Sequence, residues 1–271
     1  MLKKHFQILL MLIPLCGFAQ AFETEFETNF AWEVKQVDEF IERFNDADHT
    51  LIKDYNKKFT KSPLTREALI KSLFDSKRSD WNYEEVMTFI TQVTNEEDPE
   101  YLDFNNENWY AKVSCNLKWK GKLQKAVLKL NIRNLANGGC KWVLTDIEAD
   151  FLKLKNPDGT KVVVVQPQIA TPTDFRKFLN PISHTNDFLE IDKISEDAAD
   201  LGYYVDKSEK YSDSMCLFIA ECRQNNIKIL HANSIVYTFS QIKGWQIEIR
   251  QFNRQSRNSG WLISKLIKTP I

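Results

Sequence analysis

Glycine is scarce, with eight in 271 residues, and none of them builds a Gly-rich phosphate loop. The chain also has no G-x-S-x-G, no H-E-x-x-H, no C-x-x-C and no Cys/His spacing of the zinc type. Those gaps argue against a nucleotide-dependent enzyme, a serine hydrolase and a zinc site, and neither a metal nor a cofactor is expected. No charge of one sign dominates: 36 Lys and Arg face 37 Asp and Glu. That balance supplies no electrostatic reason to expect nucleic acid or anionic lipid as a partner. The run "KWKGKLQK", Lys118 to Lys125, reads as a solvated face in a strand-and-turn context. Beyond Phe18 no apolar run is long enough for a membrane span.

What is present begins at the N-terminus. "MLKKHFQILLMLIPLCGFAQAF" has a short basic start (Lys3, Lys4), an apolar run from Phe6 to Phe18, and small residues at Ala19 and Ala21. This is the three-part pattern of a secretory signal peptide covering 1–21, with a mature chain starting at Gln20 or Phe22. The mature protein is then expected in the periplasm or outside the cell. Removing 1–21 leaves 34 Lys and Arg against 37 Asp and Glu, a balance of −3. Cys16 raises a lipoprotein alternative, but Leu15 stands where such sites need a small residue. Four cysteines remain. Cys216 and Cys222 share a predicted helix, about 9 Å apart at 1.5 Å per residue, beyond disulfide reach. Cys115 could meet Cys140 in one sheet; buried free thiols are the simpler reading.

Hydrophobic periodicity organises the rest. Helices are predicted through Val34–Phe44 (capped by Thr28 or Asn29) and Leu51–Phe59. Two more follow, after Thr65 and from Asn82 to Val93. From Trp109 the period becomes two: strands follow at Trp109–Trp119, Val127–Arg133 and Trp142 onward to Lys155, then "TKVVVV". "QPQIATPT" breaks the pattern as a linker at 167–173. Helices then recur at Asp187–Ala199 and from Ser212, and strands at Ile227–Phe239, Gly244–Phe252 and Trp261–Ile267. Two hairpins, "LKLNIRNLANGGCKWVLTDI" and "IEIRQFNRQSRNSGWLISKLI", align with Trp142 on Trp261, Leu128 on Ile247 and Leu130 on Ile249. The expected fold class is therefore α+β, as an internal duplication of two tandem domains, 22–166 and 174–271. Each domain would be helices followed by a curved antiparallel sheet.

In element order each half resembles the cystatin-like folds, in particular the nuclear transport factor 2-like superfamily, on the strength of the two Trp-opened hairpins. Exported tandem proteins of this kind are associated with Bacteroidetes-type bacteria. The resemblance implies a cone-shaped cavity inside each sheet. Enzymes of that superfamily use a carboxylate or a His–Asp pair there, for which His184 and Asp187 in "NPISHTNDF" are the candidates. A helix N-cap is the simpler role for that stretch.

Asp146, Glu148 and Asp150 alternate on one strand and form a carboxylate row, either at a cavity mouth or as a solvent strip opposite Thr145, Ile147, Ala149 and Phe151. With Trp142 they are the candidate binding residues. Seven tryptophans are expected mainly as buried anchors, though an exported protein can also stack sugars on aromatic faces. These readings lead to a non-catalytic exported binding or interaction protein, its partner a glycan, a small apolar molecule or a protein. The alternative is an isomerase, dehydratase or hydrolase-type enzyme using one cavity.

Overall fold

Capping signals set where the helices begin in the computed structural model, which describes residues 28–60, 63–75, 80–153, 159–169, 177–181, 188–208, 210–252 and 258–270. Helix α1 (Val37–Phe44) follows Gln36, three residues later than the predicted start, and α2 (Leu51–Phe59) follows Thr50. The Thr65 side chain accepts from Ala68 N to cap α3 (Arg66–Ser72), and Asn82 accepts from Glu85 N to cap α4 (Tyr83–Val93). Where a helix was expected at Asp187–Ala199, the chain forms 3-10 turns at Phe188–Ser195 and Ala198–Asp200, leading into the short α5 (Leu201–Tyr204). Ser212 caps α6 (Asp213–Arg223) through Met215 N.

The strands are β1 (Glu33–Val34), β2 (Trp109–Trp119), β3 (Lys122–Asn134), β4 (Cys140–Glu148), β5 (Ile227–Phe239), β6 (Trp245–Phe252) and β7 (Ser259–Lys268). Lys120 and Gly121 both take positive φ, 49° and 79°, the geometry of a two-residue type I′ turn that matches the twist of β2 and β3. Strand β4 stops at Glu148 rather than running on to Lys155. Val162–Val165, expected as a strand, belongs to none.

All seven strands join one sheet, in the order β1-β7-β6-β5-β2-β3-β4. The α+β class is as expected, but the picture of two domains, each with its own sheet, is not confirmed. Strand β2 pairs antiparallel with β5 from Trp109↔Phe239 to Trp119↔Ile227. Two separate meanders would each leave a long first strand with unpaired N–H and C=O groups, and this pairing satisfies both edges. The outer edges are covered too. Strand β1 lies parallel on β7, where Gly260 is obligatory: a Cβ there would sit 1.9 Å from Val34 O. At the far edge, Trp142 N donates to Leu179 O at 3.0 Å and Asp206 N to Leu144 O at 2.8 Å.

The two meanders nevertheless match in register. Leu128↔Ile147 and Leu130↔Leu144 in the first correspond to Ile247↔Leu266 and Ile249↔Ile263 in the second. Each last strand carries a bulge at the equivalent place, Thr145 and Ser264. Thr145 Oγ1 donates to Lys129 O and Ser264 Oγ to Glu248 O, both at 3.1 Å. The middle of the β2–β5 pairing is Ser114↔Ser234.

The helices cross over. Those of the first half cover the second meander: Phe89 of α4 stacks edge-on against Trp245 at 5.4 Å, and Trp245 Nε1 donates to Gln92 Oε1 at 2.8 Å. Ile263 N donates to Leu73 O just after α3. The second half returns the arrangement, since Trp119 Nε1 donates to Glu221 Oε2 of α6 at 2.9 Å and Val205, just after α5, bridges Leu144. A separate first domain would place Trp142 on Val86, Phe89 and Ile90 of its own half; instead Phe89 lies against Trp245, and Trp142 against Trp109 and Tyr237. Thus α3 and α4 lie on the second meander and α5 and α6 reach the first, while the 3-10 turn Phe188–Ser195 stays on β5 of its own half, where Ile229 N donates to Ser195 Oγ at 2.7 Å.

The helix-covered face is concave. Trp142 on β4 and Trp261 on β7, at opposite ends of the sheet, both reach Tyr237 on β5, with ring centroids 6.1 and 4.8 Å away. Trp109 stacks on Phe239 at 5.0 Å and meets Trp142 at 4.7 Å, and Phe239 passes the contact on to Phe40 of α1. One core cluster runs through both halves.

Candidate binding face

Among the described residues, the concave side, where the resemblance implies a cavity, carries buried aromatic rings. Trp109, Trp142, Tyr237 and Phe239 are at most 1 % exposed. Burial raises the Tyr237 phenol pKa, helped by the charge of Asp38. Trp142 thus lies in the core and does not face a ligand. Trp109, Trp245 and Trp261 are buried as well, so these rings offer no sugar-stacking platform.

The carboxylate row follows the solvent-strip reading in part. The bulge at Thr145 shifts the alternation, so Trp142, Leu144 and Ile147 point inward while Asp146 and Glu148 point out. Asp146 Oδ1 accepts from Ser212 Oγ at 2.6 Å and from Ile147 N at 2.9 Å, tying the edge of β4 to the cap of α6. Glu148 pairs with Lys112 at 3.4 Å. Asp150 is exposed just beyond the strand. The three do not converge on a common point, and among the described residues no group of three or more His, Cys, Asp or Glu could hold a metal ion. His184 and Asp187 lie outside the described residues, as does the segment 1–21.

The other face of the sheet has a composition that strand-by-strand reading missed. Strands β2, β3 and β5 contain Lys112, Lys118, Lys122, Lys125, Lys129, Arg133 and Lys228, and not one Asp or Glu. Pairing brings all of these but Lys122, which stands opposite Trp119, together on the convex side. Lys118 stands directly opposite Lys228, and Lys112 opposite Lys129. In the row between, Lys125 faces Asn116, which faces His231. Neighbouring strands lie about 4.8 Å apart, so Lys118, Lys125 and Lys228 crowd one end of the face. Like charges directly opposed across a ladder are destabilising.

At the other end the cations are compensated: Lys112 by Glu148, Lys129 by the Tyr110 ring 4.7 Å away, and Arg133 by Asp206 and Glu107. Among the described residues Lys118, Lys125 and Lys228 have no carboxylate partner. Two bulges in β5, at Asn233 and Leu230, set the polar groups beside them. Asn116 Nδ2 donates to His231 Nε2 at 3.2 Å and to Asn233 Oδ1 at 3.1 Å. That leaves Asn116 Oδ1, Asn233 Nδ2 and the hydroxyls of Ser114 and Ser234 available on the surface. The run "KWKGKLQK" was the available signal; what it lacked was the knowledge that β5 lies beside β2.

Clefts lie elsewhere too, two of them lined by charged residues. One of about 280 Å³ is lined by Glu33, Asp38, Glu39, Glu42, Arg43 and His49. Its buried Arg43 is already committed, donating to the carbonyls of Trp32 and Ala31. The second, about 520 Å³, holds Lys177, Lys193, Asp197, Asp200 and Tyr204, with Lys177 paired to Asp200. Among the described residues no helix is long and apolar enough to cross a membrane. The four cysteines Cys115, Cys140, Cys216 and Cys222 are free, and burial pushes the Cys115 and Cys222 thiols up to about 12. No protein-family model matches the chain, and no curated protein and no solved structure matches it significantly.

Proposed function

We propose that this is a non-catalytic binding protein, exported by its N-terminal leader, which meets its partner through the convex face of the sheet. The observation that carries this reading is the three adjoining acid-free strands whose lysines at 118, 125 and 228 have no protein counter-charge. Uncompensated like charges weaken a sheet, and a partner of opposite charge relieves that repulsion. A concave side carrying buried aromatic rings agrees with a surface binder. Of the acid–base candidates for a cavity enzyme, Asp146 is held by Ser212 and Glu148 by Lys112. The two halves are read as copies of one ancestral cystatin-like unit, fused edge to edge; the matched bulges at Thr145 and Ser264 support that descent.

The test is retention on a panel of immobilised ligands: polygalacturonate, dextran sulfate, DNA, anionic vesicles and neutral dextran. The native protein should be held by at least one anionic member, and Lys118→Glu/Lys125→Glu/Lys228→Glu should release it. Retention by none, or retention that the triple change leaves intact, overturns the reading.

A further inference from the structure

We infer that the anionic partner is a carboxylate-bearing polysaccharide lying across β3, β2 and β5. This rests on the convex face being the binding surface. The class of anion follows from what stands between the charges. Lys118, Lys125 and Lys228 form one cationic end, and Lys112 with Lys129 lies six residues along β2, about 20 Å away. The ground between them is neutral and hydrogen-bonding: Asn116, Asn233, Ser114, Ser234 and His231.

The free Asn116 oxygen, the free Asn233 amide and two serine hydroxyls supply both donors and acceptors. A chain with hydroxyls along its length and carboxylates at intervals uses all of these. A nucleic acid would bring, beside its phosphates, a base for stacking on each residue of its chain. Against that, the cationic end has no arginine, and the Tyr110 ring is covered by the Lys129 ammonium. A membrane would need apolar side chains to insert, and Leu123 is the exposed large one beside Lys118. The inward bulges of β5 fit the same role, since they turn Asn233 and Ser234 outward as neighbours.

The experiment titrates the full-length mature protein with oligogalacturonate of defined length, with neutral dextran oligomers, a single-stranded oligonucleotide and phosphatidylglycerol vesicles as comparisons. Oligogalacturonate should bind in a salt-sensitive way and dextran should not. Lys118→Gln/Lys125→Gln/Lys228→Gln should weaken binding by about tenfold or more. Asn116→Ala/Asn233→Ala should weaken oligogalacturonate binding while leaving its salt dependence unchanged, which separates sugar recognition from charge. Circular dichroism of each variant confirms that the fold is kept. Tighter binding of the oligonucleotide or the vesicles through the same lysines overturns the polysaccharide and leaves the binding face standing. Binding by none of the four overturns both, and so does oligogalacturonate binding that ignores the lysine changes.

Discussion

Replacing Trp142 by Ala removes a ring that is 0 % exposed, packed edge-on against Trp109 at 4.7 Å and stacked near Tyr237 at 6.1 Å. Truncation of such a buried aromatic costs about 3–5 kcal/mol. With an m-value of about 3 kcal/mol/M in urea, at the upper end for domains and suited to a long chain, the unfolding midpoint should fall by about 1–1.7 M. The more discriminating outcome is the shape of the curve. Tyr237 touches both Trp142 and Trp261, and α4 and α6 each bond a Trp of the other half's strands. The chain should therefore unfold in one transition, and far-UV dichroism and tryptophan fluorescence should shift together. Trp261→Ala should move the same transition, and the double variant should depart from additivity because the two rings share a neighbour. Two separate transitions, with only the earlier one displaced by Trp142→Ala, would refute the shared core.

The matched bulges make a second test: Thr145→Val removes the hydroxyl shared between Lys129 O and Asn131 Oδ1, Ser264→Ala the one donating to Glu248 O, and each should cost about 1 kcal/mol. Stability should also fall on alkaline titration. Cys115 and Cys222 hold their protons up to about 12 in the folded protein, whereas in the unfolded chain they release them from about 9. Their contribution is whole below pH 9 and is lost as pH rises toward 12, at about 1.4 kcal/mol per pH unit for each thiol. Cys222→Ala should flatten that slope by one thiol's share, and a profile level to pH 12 would contradict the burial.

The hairpins were legible because their signal is local. The alternation in Leu128–Ile132 and Ile247–Ile249, a polar tip and a following Trp fix a register without reference to the rest of the chain. Caps at Thr65, Asn82 and Ser212 were legible for the same reason, each side chain acting on an amide three residues on. The crossing of the helices was not. Periodicity states that Val86, Phe89 and Ile90 need an apolar surface, but a duplicated chain offers two similar ones. The joining of β2 to β5 also escaped, because an edge strand carries no mark naming its neighbour. The convex face depended on that pairing, so its lysines read as separate solvated residues until β5 was set beside β2. Bulges compounded this: Thr145 shifted the carboxylate row, and Asn233 turned outward where strict alternation pointed elsewhere.

The most direct measurement is lysine-selective acetylation of the native protein, with and without saturating oligogalacturonate, read residue by residue by mass spectrometry. Lys118, Lys125 and Lys228 should be acetylated readily in the free protein and protected together in the complex. Lys71, paired with Glu67 on a helix away from this face, should be unchanged. Protection confined to the helices or to the Lys177 cleft, with the three strand lysines modified at the same rate in both states, would contradict the account.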